Sequence, residues 1–350
     1  MTEKEFGAFI TKLIAGKDLT REEAMNCVND IVRDEQNDMQ QGAFLAALTA
    51  KGASATEIAA VWQIIYELDT VRVGINTTLS LVDNCGTGMD SIKTFNISTI
   101  ASVIAAADSV VMAKHGARAI TSQCGTIDIL EELGVNVECP PEVVKKSIEA
   151  AGIGIFNGMS TLVHPKALSR ILSKISFGTV LNIAASLANP TLPKLAVRGV
   201  YNVDMLVPTA NTMKEIGYER ALVVYGEGEN GIKDGIDEAS TMGCSHICEL
   251  TVDGQISQYK ITPEQLGIKR SCASDLMMDQ DKSIEARRFK NLLQGQETQA
   301  RTDIVCLNAG LILYVAGRET SIKAGYERAL ELISTNKPLV KLQEWISVQQ

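Results

Sequence analysis

Residues 79–107 have the order strand, glycine loop, helix. An apolar strand pattern at residues 79–85 ends at Gly86-Thr87-Gly88, and an alanine-rich helical pattern covers residues 100–107. The same order recurs in coarse form from residue 110, where a strand pattern precedes a glycine-containing loop and a helix at residues 128–133. Strands that alternate with helices in this way predict an α/β domain with a mainly parallel sheet.

The spacing of apolar residues near the N-terminus indicates a second, helical unit. Residues 3–71 repeat apolar side chains at three- and four-residue spacing, which is the pattern of amphipathic helices. The later patterns predict a strand at 220–225, a loop at 226–237, antiparallel strands at 248–268, and helices at 283–293 and 303–344. We therefore expect an α/β protein with a small N-terminal all-helical domain, residues 1–72, and a larger α/β domain with a mainly parallel central sheet, residues 73–350.

The composition argues against several classes of protein. Asp and Glu number 42 against 33 Lys and Arg, so nucleic acid is not expected as a partner. Apolar runs are too short to span a membrane and the N-terminus lacks a signal pattern, so we expect a cytoplasmic protein with no membrane partner. Eight scattered cysteines indicate reduced thiols. Cys244 and Cys248 could belong to a metal site, but their alternating sequence favours a plain strand.

The glycine loop has the features of a phosphate site. In α/β sheets, ligands bind beyond the carboxyl ends of the strands, where loop amides and the next helix N-terminus offer unpaired N–H groups. Gly86 and Gly88 allow the backbone to turn tightly and approach a phosphate, while Asn96, Ser98 and Thr99 supply side-chain donors. For this loop taken alone, a ligand-free turn with capping residues is the alternative.

Later loops add charges and hydroxyl groups that favour the phosphate site. Lys114-His115-Gly116 follows the second strand, Thr121, Ser122 and Thr126 come next, and Asp237-Glu238 close a later loop. Adjacent carboxylates most often begin a solvated helix. Beside a phosphate loop they become candidate Mg²⁺ ligands, because Mg²⁺ takes one or two carboxylates together with water and phosphate oxygens.

Three separated segments resemble the signature motifs of the anthranilate phosphoribosyltransferase family, which belongs to glycosyltransferase family 3 and its nucleoside-phosphorylase-like superfamily. The family pattern D-x-x-G-T-G-G-D-x-x-x-T-F-N-I-S-T is similar to residues 83–99, K-H-G-N-R-x-x-S-S to residues 114–122, and D-G-x-D-E-x-S to residues 234–240. Residues 19–24 and 44–48 look like its helical domain, and Asn189-Pro190 like its N-P dipeptide. The likeness covers nearly the whole chain in order and indicates a divergent paralogue.

The resemblance implies a site for phosphoribosyl pyrophosphate (PRPP) and Mg²⁺, with Ser98, Asp237 and Glu238 as the implied metal ligands. No nucleophile or general base is implied, because the main demand is to neutralise the departing pyrophosphate. The family is dimeric through its helical domain, so we expect a homodimer that binds PRPP and a small-molecule acceptor. The PRPP-binding residues implied by the resemblance are Gly86, Thr87, Gly88, Asp90, Thr94, Asn96, Ser98, Thr99, Lys114, His115, Thr121, Ser122 and Thr126.

Three positions depart from the family pattern. Met89 replaces the third glycine of the loop, and Ala117 replaces the asparagine of K-H-G-N-R, which the family offers to acceptor and ribose. The family's carboxylate-binding arginine lies ten residues before the asparagine of F-N, here Asn182, and that count gives Leu172; Arg170 is the nearest guanidinium. An apolar side chain cannot make the bidentate contact of arginine with a carboxylate. We therefore expect an aromatic or heterocyclic acceptor other than anthranilate.

The acceptor side implied by the resemblance comprises Ala117, His164, Arg170 and Leu172. His164 precedes Pro165 in a loop, where it is either a general base or, more simply, a surface residue.

Two other functions are compatible with parts of the sequence. Arg118 together with residues 125–131 resembles the G-T-x-D-x-L-E element of pyrimidine nucleoside phosphorylases, although those enzymes lack the tandem acidic pair. A non-catalytic paralogue that serves as a ligand-binding scaffold would explain the three departures. Retention of Lys114 and of Asp237-Glu238 argues against such an idle site.

Overall fold

A computed structural model describes residues 1–88, 90, 92–118, 125–175 and 177–350 of the chain. Its N-terminal region consists of the helices α1 (Glu3–Ile14), α2 (Arg21–Val32), α3 (Asp38–Lys51) and α4 (Ala55–Asp69). The first, second and fourth begin with capping boxes, in which a Thr or Ser side chain accepts a backbone N–H and a glutamate bonds back. The all-helical N-terminal unit that the periodicity predicted is confirmed.

The remainder of the chain is built around one sheet. Its strands are β1 (Leu81–Cys85), β2 (Val111–Gly116), β3 (Ile153–Asn157), β4 (Leu195–Gly199), β5 (Arg220–Gly228), β6 (Gly231–Ile236), β7 (Ser245–Leu250) and β8 (Ile256–Ile261). Within the described residues the order is β3-β2-β1-β4-β5-β7-β8, with β6 also paired to β5. The strands from β3 to β5 in this order run parallel, and the other pairings are antiparallel. The mainly parallel sheet is therefore confirmed.

Helices cover both faces of the sheet. They are α5 (Ile97–Ala107), α6 (Thr126–Glu132), α7 (Pro141–Ala151), α8 (Leu168–Lys174), α9 (Leu181–Ala184), α10 (Leu206–Glu215), α11 (Ala273–Leu276), α12 (Lys282–Leu293), α13 (Gln299–Val315), α14 (Ile322–Ser334) and α15 (Lys337–Val348), with short 3-10 helices at Val203–Met205 and Pro263–Leu266. In the described part of the chain, no helix is both long and apolar enough to cross a membrane.

Two large hydrophobic clusters fill most of the interior, and a third, smaller one lies between α7 and the strands β2 and β3. One contains side chains of α1–α4, α8, α9 and α10 and one face of the sheet, so the N-terminal helices pack directly on the α/β region. The other contains the opposite face of the sheet together with α5, α13 and α14. α13 is buried on nearly every side, as expected for a helix that is hydrophobic all round.

The prediction of a loop at residues 226–237 was wrong in part, because β6 forms a hairpin with β5 there. Its exposed, glycine- and charge-rich residues hide the strand from a periodicity argument. The antiparallel prediction around Cys248 is confirmed by β7 and β8. β7 includes Cys248, and no metal-binding cluster among the described residues includes Cys244 or Cys248.

The order of the strands places a crevice at one edge of the sheet. From β1 the chain proceeds outwards through β2 and β3, and then returns to the other side of β1 with β4. The carboxyl ends of β1 and β4 therefore flank a topological switch point, which is where ligands bind in sheets of this kind. Gly86 follows β1 at this place, and Gly199 ends β4.

Candidate active site

Glycines allow the loop after β6 to lie over the crevice. The backbone N–H of Gly88 donates a hydrogen bond to Asp237 Oδ2 across 2.7 Å. A Cβ at Gly86 would collide with the same carboxylate, a Cβ at Gly199 with the Asp237 carbonyl, and a Cβ at Gly226 with the Glu238 carbonyl. Side chains at these strand ends would therefore displace Asp237 and Glu238 from the crevice.

Three carboxylates meet where these loops touch. Oxygen atoms of Asp90, Asp237 and Glu238 all lie within 4.8 Å of one another. Burial, and then the charge of Asp237, raise the pKa of Asp90 to about 7. Burial, and then the charges of Asp237 and Asp90, raise the pKa of Glu238 well above its ordinary value. Such a group of mutually repelling carboxylates has the donor chemistry of a divalent-cation site.

Several buried polar atoms around the crevice lack a hydrogen-bond partner among the described residues. They are Thr87 Oγ1, Asn96 Oδ1 and Glu238 Oε2. A buried polar group without a partner costs free energy, so these atoms are candidates for contact with a ligand. Asn96 also makes no side-chain cap at the start of α5. A helix N-terminus without such a cap favours an anion.

Lys114 brings a buried cation to the same edge of the sheet. It lies on β2, is 1% exposed, and its Nζ donates a hydrogen bond to the carbonyl oxygen of Asn84. Burial lowers the pKa of Lys114. The side chain of Asn84 in turn donates to the carbonyl of Ser98 at 2.9 Å. Asn84 thereby joins β1, Lys114 and the first turn of α5, a role that the sequence did not indicate.

Hydroxyl groups from two helix starts approach each other beside the glycine loop. Thr99 Oγ1 in α5 donates to Thr126 Oγ1 in α6 at 3.3 Å. Ser98, an implied metal ligand, lies in the first turn of α5, and its carbonyl oxygen accepts from Asn84 and Ser102. Thr94 pairs with Met277 in an isolated bridge just before this helix. Met89, Thr121 and Ser122 lie outside the described residues.

Two buried histidines, the PRPP candidate His115 and the acceptor-side candidate His164, face each other. The Nε2 atoms of His115 and His164 are 3.3 Å apart, and His115 Nδ1 and His164 Nδ1 lie near the carbonyl oxygens of Ser186 and Asp69. Burial lowers the pKa of His115 to about 4. Burial, and then the charge of His115, lower the pKa of His164 to about 3. The expectation of a surface position for His164 was wrong, since the residue is 1% exposed.

The remaining residues predicted for the acceptor side have contacts of their own. Ala117 is half-buried, and its carbonyl accepts from Ile127 at the start of α6. Arg170 faces the N-terminal helices, where its guanidinium bonds Asp34 at 2.8 Å, Gln41 and the carbonyl of Ile31. Leu172 is half-buried in α8. The guanidinium of Arg170 is thus already engaged on three sides.

A buried ion pair fixes the strand ends beneath the site. Arg198 on β4 lies 3.1 Å from Asp83 on β1, and both side chains are fully buried. Asp83 also accepts the backbone N–H of His115 at 3.1 Å, so one carboxylate links β1, β2 and β4. This pair was not predicted from the sequence. Its signal was an arginine within the apolar run of β4, because a charge in such a place is normally paired.

Comparisons with known proteins agree with this architecture. Residues 8–68 match the family model described as "Glycosyl transferase family, helical bundle domain", and residues 78–338 match "Glycosyl transferase family, a/b domain". The chain is 35% identical over 342 residues to an anthranilate phosphoribosyltransferase of Persephonella marina, covering 96% of this chain and 98% of the relative. It is 38% identical over 339 residues to one of Methanosarcina acetivorans, covering 96% and 88%.

Solved structures show the same likeness. An anthranilate phosphoribosyltransferase from Thermus thermophilus superposes with a TM-score of 0.86 at 32% identity, covering 97% of this chain and 98% of that one. One from Saccharomyces cerevisiae, in complex with PRPP and Mg, superposes with a TM-score of 0.85 and covers 99% and 98%, and at 20% identity it shows the fold alone. These matches give no support to a nucleoside phosphorylase or an idle scaffold. With both family models matched and relatives this similar over nearly its whole length, the chain belongs to the anthranilate phosphoribosyltransferase family.

Proposed function

We propose that this protein transfers the phosphoribosyl group of PRPP, bound as a Mg²⁺ complex, to a small aromatic or heterocyclic acceptor. The observation on which this rests is the convergence of the Gly86–Gly88 loop, Lys114 and three carboxylates at the switch point of the sheet. Family membership supports the same reaction, because the similar relatives are named phosphoribosyltransferases.

The carboxylate cluster fits a magnesium ion. Asp90, Asp237 and Glu238 would hold it, since their oxygens are within 4.8 Å of one another and Glu238 Oε2 is buried with no partner among the described residues. A bound Mg²⁺ supplies positive charge to the pyrophosphate oxygens.

The chain's own residues meet the other demands of the reaction. The bond from ribose C1 to pyrophosphate breaks, a bond from C1 to the acceptor forms, and the acceptor loses a proton to solvent. The buried ammonium of Lys114 and the uncapped N-terminus of α5 would stabilise the departing anion. Positioning the acceptor on the opposite face of the ribose completes the task, so no protein nucleophile is required.

We further propose that anthranilate is not the preferred acceptor. Leu172 offers no charge, and Arg170 is bonded to Asp34, Gln41 and the carbonyl of Ile31. A carboxylate on the acceptor would therefore lack its bidentate partner in this part of the site. Anthranilate itself is the second candidate, because relatives that are 35% and 38% identical bear its name.

Binding and turnover separate these possibilities. We expect calorimetry to detect PRPP binding that requires Mg²⁺; magnesium-independent binding, or none, would contradict the proposed function. Pyrophosphate release is then measured with anthranilate, other aromatic amines, phenols and nucleobases as acceptors. Activity with anthranilate alone would overturn the acceptor proposal while leaving the transferase intact. Phosphate-dependent cleavage of uridine or thymidine would favour the phosphorylase instead.

The proposal includes a homodimer formed through the helical region. A groove of about 720 Å³ lies between α3 and α8, and Arg170, Lys174 and Phe177 line it. Phe177 is an exposed apolar side chain on this surface. Sedimentation should give a dimer for the wild type and a monomer for Phe177→Glu. A monomeric wild type would contradict this part of the proposal.

A further inference from the structure

Helix α13 is hydrogen-bonded to the loop that bears the proposed metal-binding carboxylates. Asn308, in the middle of this helix, accepts the backbone N–H of Ala239 at Oδ1 and donates from Nδ2 to the carbonyl of Ala239, each at 2.9 Å. Ala239 directly follows Glu238. Nδ2 also donates to the carbonyl of Ile304 at 2.8 Å, so the amide is fixed to its own helix. One buried side chain therefore holds the residue after the carboxylate pair at both its polar backbone atoms.

The same helix also contacts the turn that leads into α5. Arg301 is 1% exposed and pairs with Glu285 at 2.7 Å. Its guanidinium lies over the ring of Phe95 at 4.3 Å and also donates to the carbonyl of Met277. Phe95 precedes Asn96 and the phosphate-facing first turn of α5, and its N–H donates to Leu276 at 3.2 Å. Arg301 thus positions Phe95 in two ways. It contacts the Phe95 ring directly, and it bonds Met277, the residue next to the hydrogen-bond partner of Phe95.

The two contacts have a fixed separation. Asn308 and Arg301 are seven residues apart, which is nearly two helical turns, so they lie on one face about 10 Å apart along the axis. α13 itself cannot shift easily. Asp303 accepts from Tyr326 of α14 at 2.8 Å, and Gly310 contacts α14 so closely that a Cβ there would lie 2.6 Å from the Tyr326 nitrogen.

We infer that α13 sets the distance between the carboxylate loop and the phosphate-facing turn, with Asn308 and Arg301 as its positioning residues. The inference rests on the proposed PRPP and Mg²⁺ site. Neither residue is placed to contact a ligand; each acts through backbone or ring contacts with a segment that does. Because the two residues hold different segments, their loss should affect different ligands.

The test measures two affinities for each variant: that for Mn²⁺ alone, by electron paramagnetic resonance, and that for PRPP at saturating Mg²⁺, by calorimetry. Asn308→Ala should weaken Mn²⁺ binding by about tenfold or more, as does loss of residues that orient metal ligands. Arg301→Lys keeps the charge but loses the planar contacts. It should weaken PRPP binding by about tenfold, the scale expected for misplacement of a binding group, and leave Mn²⁺ binding nearly unchanged.

Matched controls separate positioning from general loss of stability. Arg220, the first residue of β5, has the same kinds of contact as Arg301. Its guanidinium lies 4.2 Å from the Tyr314 ring centroid and forms an ion pair with Glu249. Arg220→Lys should alter neither affinity. Leu311→Ala removes a buried side chain from α13 itself and should lower the melting temperature with both affinities retained.

The outcomes distinguish this inference from the proposed function. A wild type that binds neither Mn²⁺ nor PRPP overturns the site itself, and the inference with it. A wild type that binds both, with Asn308→Ala and Arg301→Lys behaving like the controls, overturns the positioning role alone. The same holds if both variants weaken both ligands equally in proportion to their loss of melting temperature.

Discussion

The backbone N–H of Gly88 and the carboxylate of Asp237 are joined by a 2.7 Å hydrogen bond across 149 positions of sequence. This contact links the glycine loop after β1 with the loop after β6, and it orients one oxygen of the carboxylate cluster. It exists because Gly86 has no side chain at the place where Asp237 lies. The spacing of the site therefore depends on a glycine as much as on charged groups.

Gly86→Ala should disable the site while leaving the fold intact. The added Cβ would overlap Asp237 Oδ2, so the carboxylate must move away from Asp90 and Glu238. We expect Mg²⁺-dependent PRPP affinity to fall by about 100-fold, the scale of a 1 Å displacement, with little change in melting temperature. Gly7→Ala, in an open position on α1, is the control and should bind PRPP normally. Full binding by Gly86→Ala would mean that Asp237 does not take part.

Glu238→Gln should separate stability from metal binding. The raised pKa of Glu238 comes from burial and from the nearby charges of Asp237 and Asp90. A neutral isostere removes that repulsion, so the metal-free protein should gain about 1–2 kcal/mol at pH 8. The increase in melting temperature that Mg²⁺ produces in the wild type should disappear. Glu264→Gln, on a distant exposed ion pair, should retain it. A Mg²⁺ response that survives in Glu238→Gln would argue against this ligand.

The histidine pair should make the protein less stable in acid. His115 and His164 have pKa values of about 4 and about 3 when folded, against an ordinary value of 6.5. Between pH 6.5 and 4 the unfolded chain binds more protons, so stability falls as the pH falls. Each ring should contribute a loss on the order of 2 kcal/mol at pH 5 relative to pH 8.

Urea unfolding at a series of pH values measures this dependence. The groups that face the pair are Thr70, the carbonyls of Asp69 and Ser186, and the charges of Arg198 and Asp69. His164→Asn removes one titrating ring and should flatten the slope between pH 7 and 5. An unchanged slope in this variant would show that the rings are not the source of the acid sensitivity.

Part of the site followed from local sequence and topology. The glycine loop and the Asp237-Glu238 pair could be expected to meet, because each belongs to a loop predicted to begin at the carboxyl end of a parallel strand, residues 79–85 and 220–225. The position of Asp90 was anticipated as a PRPP contact but not as a member of the carboxylate cluster. The direction of the Asp90 side chain depends on the conformation of the glycine loop. Sequence periodicity does not encode that conformation.

Other residues act through partners far away in the sequence. Arg198 and Asp83 are 115 positions apart, and a strand pattern alone does not tell which charge meets which. Asn308 is hidden within a helix that is buried on nearly every side, where a single amide looks like an interruption of the apolar pattern. Its role can be inferred only from the structure, in which it is hydrogen-bonded to Ala239, 69 positions earlier in the sequence.

Gly310→Ala tests whether the close crossing of α13 and α14 is required. A Cβ at Gly310 would lie 2.6 Å from the Tyr326 nitrogen and 2.9 Å from the carbonyl carbon of Gly325, which are backbone atoms that cannot rotate away. The helices must separate, and overpacking of this kind costs about 2–3 kcal/mol. Alanine is otherwise the better helix former by about 1 kcal/mol, so Gly7→Ala, in open space on α1, should be neutral or stabilising. Urea unfolding of both variants gives the comparison, and equal stability would show that the crossing has room to spare. Because Asn308 lies only two residues before Gly310, the displaced helix should also weaken Mn²⁺ binding, which would tie the packing of α13 to the metal site.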